Sequence, residues 1–154
     1  MLRKDQLPTP VLLVDLEVLR RNIGYMADKA KRKGVQLRPH MKTHKSKKIA
    51  HMQLAAGAVG LTCAKISEAE VMVEAGVHDL FIAYPMYGDY QLAKAAVLAK
   101  RCRLTLACDS LPAAQKLDSF ARAAGITFRV SMIVDTGTGR DGVLPEQAVE
   151  LAKQ

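Results

Sequence analysis

Val59-Gly60-Leu61-Thr62-Cys63, then Ser67-Glu68-Ala69-Glu70, then Ala75-Gly76, then Leu80-Phe81-Ile82-Ala83-Tyr84 form the stretch that decides the fold. An apolar, β-branched run long enough for one strand is followed by a Ser-x-x-Glu capping box, a helical pattern, a glycine that stops it, and a second strand-like run. That is one βα unit with the next strand attached. The unit repeats in both directions, because strand-like runs begin at residues 37, 59, 80, 104 and 127, at spacings of 22, 21, 24 and 23. One strand plus one helix per step is the arithmetic of a parallel sheet.

The predicted strands cover residues 11–14, 37–41, 59–63, 80–84, 104–108 and 127–134. A first helix opens on Asp15 as N-cap, carries Leu16, Leu19, Ile23, Met26, Ala27 and Ala30 on one face, and stops at Gly34. Another opens at Ser110 with Pro112 in its first turn and closes at Gly125, and a last one begins at Pro145. No low-complexity tract or linker interrupts them, so one continuous domain is expected. Six evenly spaced strands suit a doubly wound sheet or the first part of a (β/α)8 barrel; a closed barrel needs roughly 250 residues. With 154 residues, the chain reads as the N-terminal piece of a longer protein.

Composition narrows the class further. Half the residues are hydrophobic and a quarter charged (49% and 25%), the mix of an ordinary globular domain. No apolar run approaches the ~20 residues of a membrane helix, and the first residues lack an apolar leader. Three cysteines without Cys-x-x-Cys spacing argue against a disulfide framework or a structural zinc site, so a reducing cytoplasm is expected and no metal site is assigned. The net charge of +8 is localised: residues 29–48 hold nine Lys and Arg and no acid, leaving 14 basic against 15 acidic residues elsewhere. No aromatic residue interleaves that run, so it lacks the stacking platform of a single-strand binder, and neither nucleic acid nor membrane is expected as a partner.

In parallel α/β folds chemistry gathers at the carboxyl ends of strands. Two such ends stand out. In Leu37-Arg38-Pro39-His40-Met41-Lys42-Thr43-His44-Lys45-Ser46, strand alternation places Arg38, His40 and Lys42 together on one face. An amine among cations loses its proton more readily, which makes Lys42 a candidate nucleophile; a solvated structural lysine is the competing reading, and His40 and His44 read as loop histidines. The second end is Asp135-Thr136-Gly137-Thr138-Gly139-Arg140-Asp141-Gly142. Its Gly-x-Gly-x-x-Gly fails as a dinucleotide loop, because Asp135 and Thr136 precede the first glycine and no helix opens before Pro145. Asp135 beside Arg140 instead suggests a hydrogen-bonded site for a small polar group.

These same residues resemble the pyridoxal-phosphate enzymes of the alanine racemase N-terminal fold, and most closely the D-threonine aldolase and D-serine dehydratase-like branch. The resemblance spans the chain: Leu7-Pro8-Thr9-Pro10, Val14-Asp15 and Asn22, the Pro39-His40-Met41-Lys42-Thr43-His44-Lys45 run that is specific to the branch, Ser67-Glu68-Ala69-Glu70, Ala83-Tyr84-Pro85, and Asp135 to Arg140. It implies a truncated barrel of the TIM type over residues 1–154, with residues 11–14 belonging to a second, β-rich domain that is largely missing. It further implies that Lys42 ends the first barrel strand and forms the Schiff base with pyridoxal phosphate, that His40 belongs to the cofactor-binding set, and that Arg140 reaches the cofactor's phenolic oxygen. Ile133 departs from the pattern: racemases often carry lysine there and the aldolase branch an acid. Phosphate-binding loops and a divalent-metal site would fall after residue 154.

The implied activity is a lyase acting on D-β-hydroxy amino acids, by aldol cleavage or dehydration, in a protein that is a homodimer when complete. An amino-acid racemase and a non-catalytic cofactor-binding fragment are the alternatives. The 154-residue piece alone is expected to be inactive and poorly stable, since an unclosed barrel exposes an edge strand.

Overall fold

The computed structural model describes residues 3–154. Four parallel strands form a single sheet: β1 (Leu61–Cys63), β2 (Asp79–Ile82), β3 (Arg103–Cys108) and β4 (Arg129–Met132). Helix α1 (Leu16–Arg32) and helix α2 (Lys47–Ala55) precede the sheet, while α3 (Ile66–Glu74), α4 (Asp89–Ala99) and α5 (Leu111–Ala124) connect successive strands and α6 (Pro145–Lys153) follows it. The strands lie in chain order, β1-β2-β3-β4. A doubly wound sheet reverses its order at a switch point and this one does not, so the sheet is the wall of a barrel.

Register explains where the core lies. Leu61, Leu80 and Leu104 are successive partners, as are Cys63, Ile82 and Leu106. These two rows are buried and pack with Met72 and Val73 of α3, Leu92 and Leu98 of α4, and Leu117 of α5. The alternate row, Thr62, Phe81, Thr105 and Arg129, faces the other way, where the interior of a closed barrel would be. Burial also pushes the Cys63 thiol up to about 12, so it stays protonated within the core.

Several sequence expectations hold in detail. The Asp15 carboxylate accepts from the N–H groups of Glu17 and Val18, Ser110 Oγ accepts from Ala113 N–H, and Gly125 ends α5 in the left-handed conformation at φ 62°. Others need correction. Residues 11–14 form no strand; Leu12 is 97% exposed, and nothing among the described residues pairs with this segment. Residues 37–41 are not a full strand either. Leu37 and Pro39 accept from the N–H groups of Val59 and Thr62, but one bridge, His40 to Thr62, is all that pairs, because Pro39 has no N–H to donate. The strands predicted at 59–63 and 127–134 contract to Leu61–Cys63 and Arg129–Met132, and the one at 80–84 shifts to Asp79–Ile82.

The capping box at Ser67 and Glu70 is also absent. Lys65 is the N-cap of α3, and the acid that reaches back is Glu68, whose Oε2 accepts from Ala64 N–H at 2.8 Å. Glu70 pairs instead with Lys94 of α4.

Gly60 stands where β1 passes the Arg38–Asp79 ion pair, whose Nη1–Oδ1 distance is 2.8 Å. A Cβ there would run into the Asp79 carbonyl and the Arg38 guanidinium, whereas one at Gly24 in α1 would meet nothing. Gly60→Ala is therefore expected to destabilise the chain by about 1–3 kcal/mol, and Gly24→Ala to stabilise it by up to about 1 kcal/mol. Urea midpoints of the two variants should move in opposite directions; a Gly60→Ala chain as stable as the parent would contradict this packing.

Candidate active site at the carboxyl edge

The segment that carries Lys42 is a tight turn fixed at both ends. After the His40–Thr62 bridge the chain leaves the sheet, and Met41–Thr43 turn as a 3-10 helix with Met41 almost wholly buried as the plug. His40 Nδ1 accepts from Lys42 N–H at 3.2 Å, and Met41 C=O accepts from the N–H groups of His44 and Lys45. Lys45 closes the turn in the left-handed region at φ 46°, a conformation that costs a non-glycine residue about 1–2 kcal/mol. Lys42 thus sits on a turn beyond the strand end rather than in the strand, with its side chain exposed.

The cluster of cations expected on one face is resolved by pairing. Arg38 donates to Asp79 of β2. Lys45 donates to Glu68, an acid only 6% exposed in the first turn of α3. Burial pushes the Glu68 carboxyl up, but the Lys45 bond and charge together with Ala64 N–H outweigh it and hold the group below the usual range. Lys47 lies 4.0 Å from Glu74. Lys42 is left with no ion pair among the described residues. His40 is held below the ordinary histidine value, chiefly by burial and then by the Lys42 charge, so at neutral pH its Nδ1 stays free to accept from Lys42 N–H. His44 is likewise lowered by burial, and its Nδ1 accepts from Ser46 N–H.

At the far end of the sheet, residues 133–143 close on themselves. Val143 N–H donates to Ile133 C=O and Asp135 N–H to Val143 C=O, with Val134 and Val143 bridged. Within the loop the Asp135 carboxylate accepts from the N–H groups of Gly137, Thr138 and Gly139 at 2.8–2.9 Å. Those donors, Gly137 first, hold Asp135 below the usual aspartate range. The aspartate is thus engaged by its own loop, and Arg140 donates through Nε to Asp141 at 3.2 Å, with its side chain 66% exposed. Ile133 N–H donates to Cys108 C=O, which extends the β3–β4 pairing by one bond.

Lys42 and Arg140 therefore lie on the same edge of the sheet, one before β1 and one after β4. Between them the carboxyl edge carries Tyr84 and Tyr87, the latter bonded to Asp109. Next in register stand the small residues Ala64, Ala83, Ala107 and Ser131. The roles of Glu68 and of the Tyr87–Asp109 pair escape a reading of the sequence, because each depends on a partner more than twenty residues away. The one local signal for Glu68 is its place three residues after an N-cap.

Known proteins resemble this chain over most of its length. D-threo-3-hydroxyaspartate dehydratase of Delftia sp. (strain HT23) is 41% identical over 138 residues, covering 89% of this chain and 36% of that protein. D-threonine aldolase of Arthrobacter sp is 37% identical over 147 residues, covering 95% of this chain and 39% of that protein. The crystal structure of D-threonine aldolase from Filomicrobium marinum superposes with a TM-score of 0.92 at 42% identity, covering 97% of this chain and 41% of that one. The chain thus spans well under half the length of these relatives. Residues 14–154 match the family described as alanine racemase, N-terminal domain, and the chain belongs to that family.

Proposed function

We propose that the protein carrying this chain is a pyridoxal-phosphate-dependent lyase acting on D-β-hydroxy amino acids, with Lys42 as the residue that holds the cofactor. The observation that carries the reading is the contrast at one turn: Lys45 is ion-paired with Glu68, while Lys42, three residues away, stands exposed at the carboxyl edge with no ion pair among the described residues. The relatives bearing the names D-threonine aldolase and D-threo-3-hydroxyaspartate dehydratase support the substrate class. The donor set suits the cofactor chemically. A primary amine on a fixed turn matches an aldehyde, and a guanidinium with four N–H groups beyond its Asp141 bond matches an ionised phenol.

When bound, the cofactor supplies an electron sink for charge developing at the substrate Cα. The protein residues supply placement and proton transfer. Neutral His40 holds the Lys42 backbone N–H, so the amine projects from a defined point and not from a mobile loop. Lys42 Nζ serves as the base that takes or returns the proton at Cα from one face, which fits a single enantiomer. Arg140 stabilises the phenolic oxygen, and Asp135 keeps that loop in shape through its three N–H bonds. In the aldol outcome the β-hydroxyl gives up its proton as the Cα–Cβ bond breaks and Cα takes a proton, giving glycine and an aldehyde; in the dehydration outcome the Cα proton and the β-hydroxyl leave as water, and water then hydrolyses the resulting imine to a 2-oxo acid and ammonia.

Borohydride reduction of the complete protein followed by peptide mapping should place the label on Lys42, and a label elsewhere would overturn the assignment. Lys42→Ala should remove the visible absorbance of bound cofactor and lower turnover by roughly 10²- to 10⁴-fold or more. Products of a D-β-hydroxy amino acid separate the outcomes: aldehyde or ammonia supports a lyase, whereas the L-enantiomer as sole product would make it a racemase.

Arg140→Lys keeps the charge and loses the planar fork. A charge-assisted hydrogen bond contributes about 1.5–3 kcal/mol, so the complete enzyme should lose roughly 10- to 100-fold in turnover with its unfolding midpoint unchanged. An unaltered spectrum and rate would leave Arg140 as the surface partner of Asp141.

A further inference from the structure

Lys42 and Lys45 are three residues apart on one turn, and both are amines at the carboxyl edge of the sheet. What separates them is Glu68. Its carboxylate is buried, takes Ala64 N–H with one oxygen and the Lys45 ammonium with the other, and so ties the left-handed end of the turn to the junction of β1 and α3. The Lys45 side chain is drawn toward that junction. The bond to a buried carboxylate occupies the Lys45 amine, whereas Lys42 Nζ has no ion pair among the described residues.

We propose that the Lys45–Glu68 pair is the positioning device of this site, selecting Lys42 over Lys45 as the cofactor-bearing lysine and setting the charge around it. The proposal rests on the assignment of Lys42 above and adds two positioning residues to it. The groups facing Glu68 are Lys45 from the turn and Lys65 from the N-cap of α3, with the imidazole of His40 and the thiol of Cys63 alongside. Glu68 opposes the Lys42 and Lys45 charges at His40. Removing Glu68 leaves an uncompensated cation near Lys42, and removing Lys45 leaves an uncompensated anion. The two changes therefore act on the protonation of the lysine-bound cofactor with opposite sign.

The test uses the complete protein loaded with pyridoxal phosphate and reads the pH midpoint of its visible absorbance, together with the peptide labelled by borohydride. Glu68→Gln still accepts Ala64 N–H and should lower the midpoint by about one unit, with part of the label moving to Lys45. Lys45→Gln should raise the midpoint. Lys45→Arg keeps the ion pair and should reproduce the parent. A merely structural role predicts shifts of one sign in both glutamine variants, or none; either result overturns the proposal, as does a Glu68→Gln label that stays wholly on Lys42. If the parent protein itself is labelled elsewhere, the Lys42 reading falls and this inference with it. A parent labelled at Lys42 with unmoved variants removes this inference alone.

Discussion

Burial of two rows of side chains, Leu61–Leu80–Leu104 and Cys63–Ile82–Leu106, against the connecting helices is the constraint on which everything else in this chain depends. A parallel pairing slipped by one residue would turn these rows outward and bring Thr62, Phe81 and Thr105 into the helix-facing core. Register is thus set by hydrophobic burial, and register fixes which residues arrive together at the carboxyl edge. The two ends of the strands are accordingly different in kind. At the amino end, Asp79 receives both Arg38 and Arg103 and joins neighbouring strands; at the carboxyl end, loops carry groups whose partners are mostly their own backbones.

The parts of the fold legible in the sequence are those with local causes. Asp15, Ser110 and Gly125 act within a turn of their own helix, and the spacing of strand-like runs reports the repeat itself. The strand at 37–41 fails because alternation counts side chains and ignores that Pro39 cannot donate to a ladder. The capping box fails because two acids, Glu68 and Glu70, stand in the same first turns, and only tertiary structure decides between them: Lys45 draws one and Lys94 the other. Residues 11–14 show the complementary case, an apolar run with strand propensity and no neighbour among the described residues to make it a strand.

The site divides in the same way. Lys42 close to a strand end among other cations is visible from residue types, and the specificity of its surrounding motif comes from the family resemblance. Its electrostatic setting is not, because a run of nine cations looks uniform in sequence while the structure splits it between Asp79, Glu68, Glu74 and solvent. Asp135 and Arg140 behave likewise: residue types suggest one shared polar site, yet three backbone N–H groups of the glycine-rich loop engage the carboxylate, and Arg140 turns to Asp141.

The closure of residues 133–143 has a consequence for how this fold changes over time. Because the Val134–Val143 bridge fastens the base of the loop and Asp135 fastens its tip, the segment carries its own supports and asks little of the sheet beyond β4. A unit of that kind can be lengthened, shortened or given a different side chain at the position of Arg140 while the barrel wall keeps its shape. Such a loop behaves as an exchangeable cassette, on which selection can try new chemistry without reopening the problem of folding.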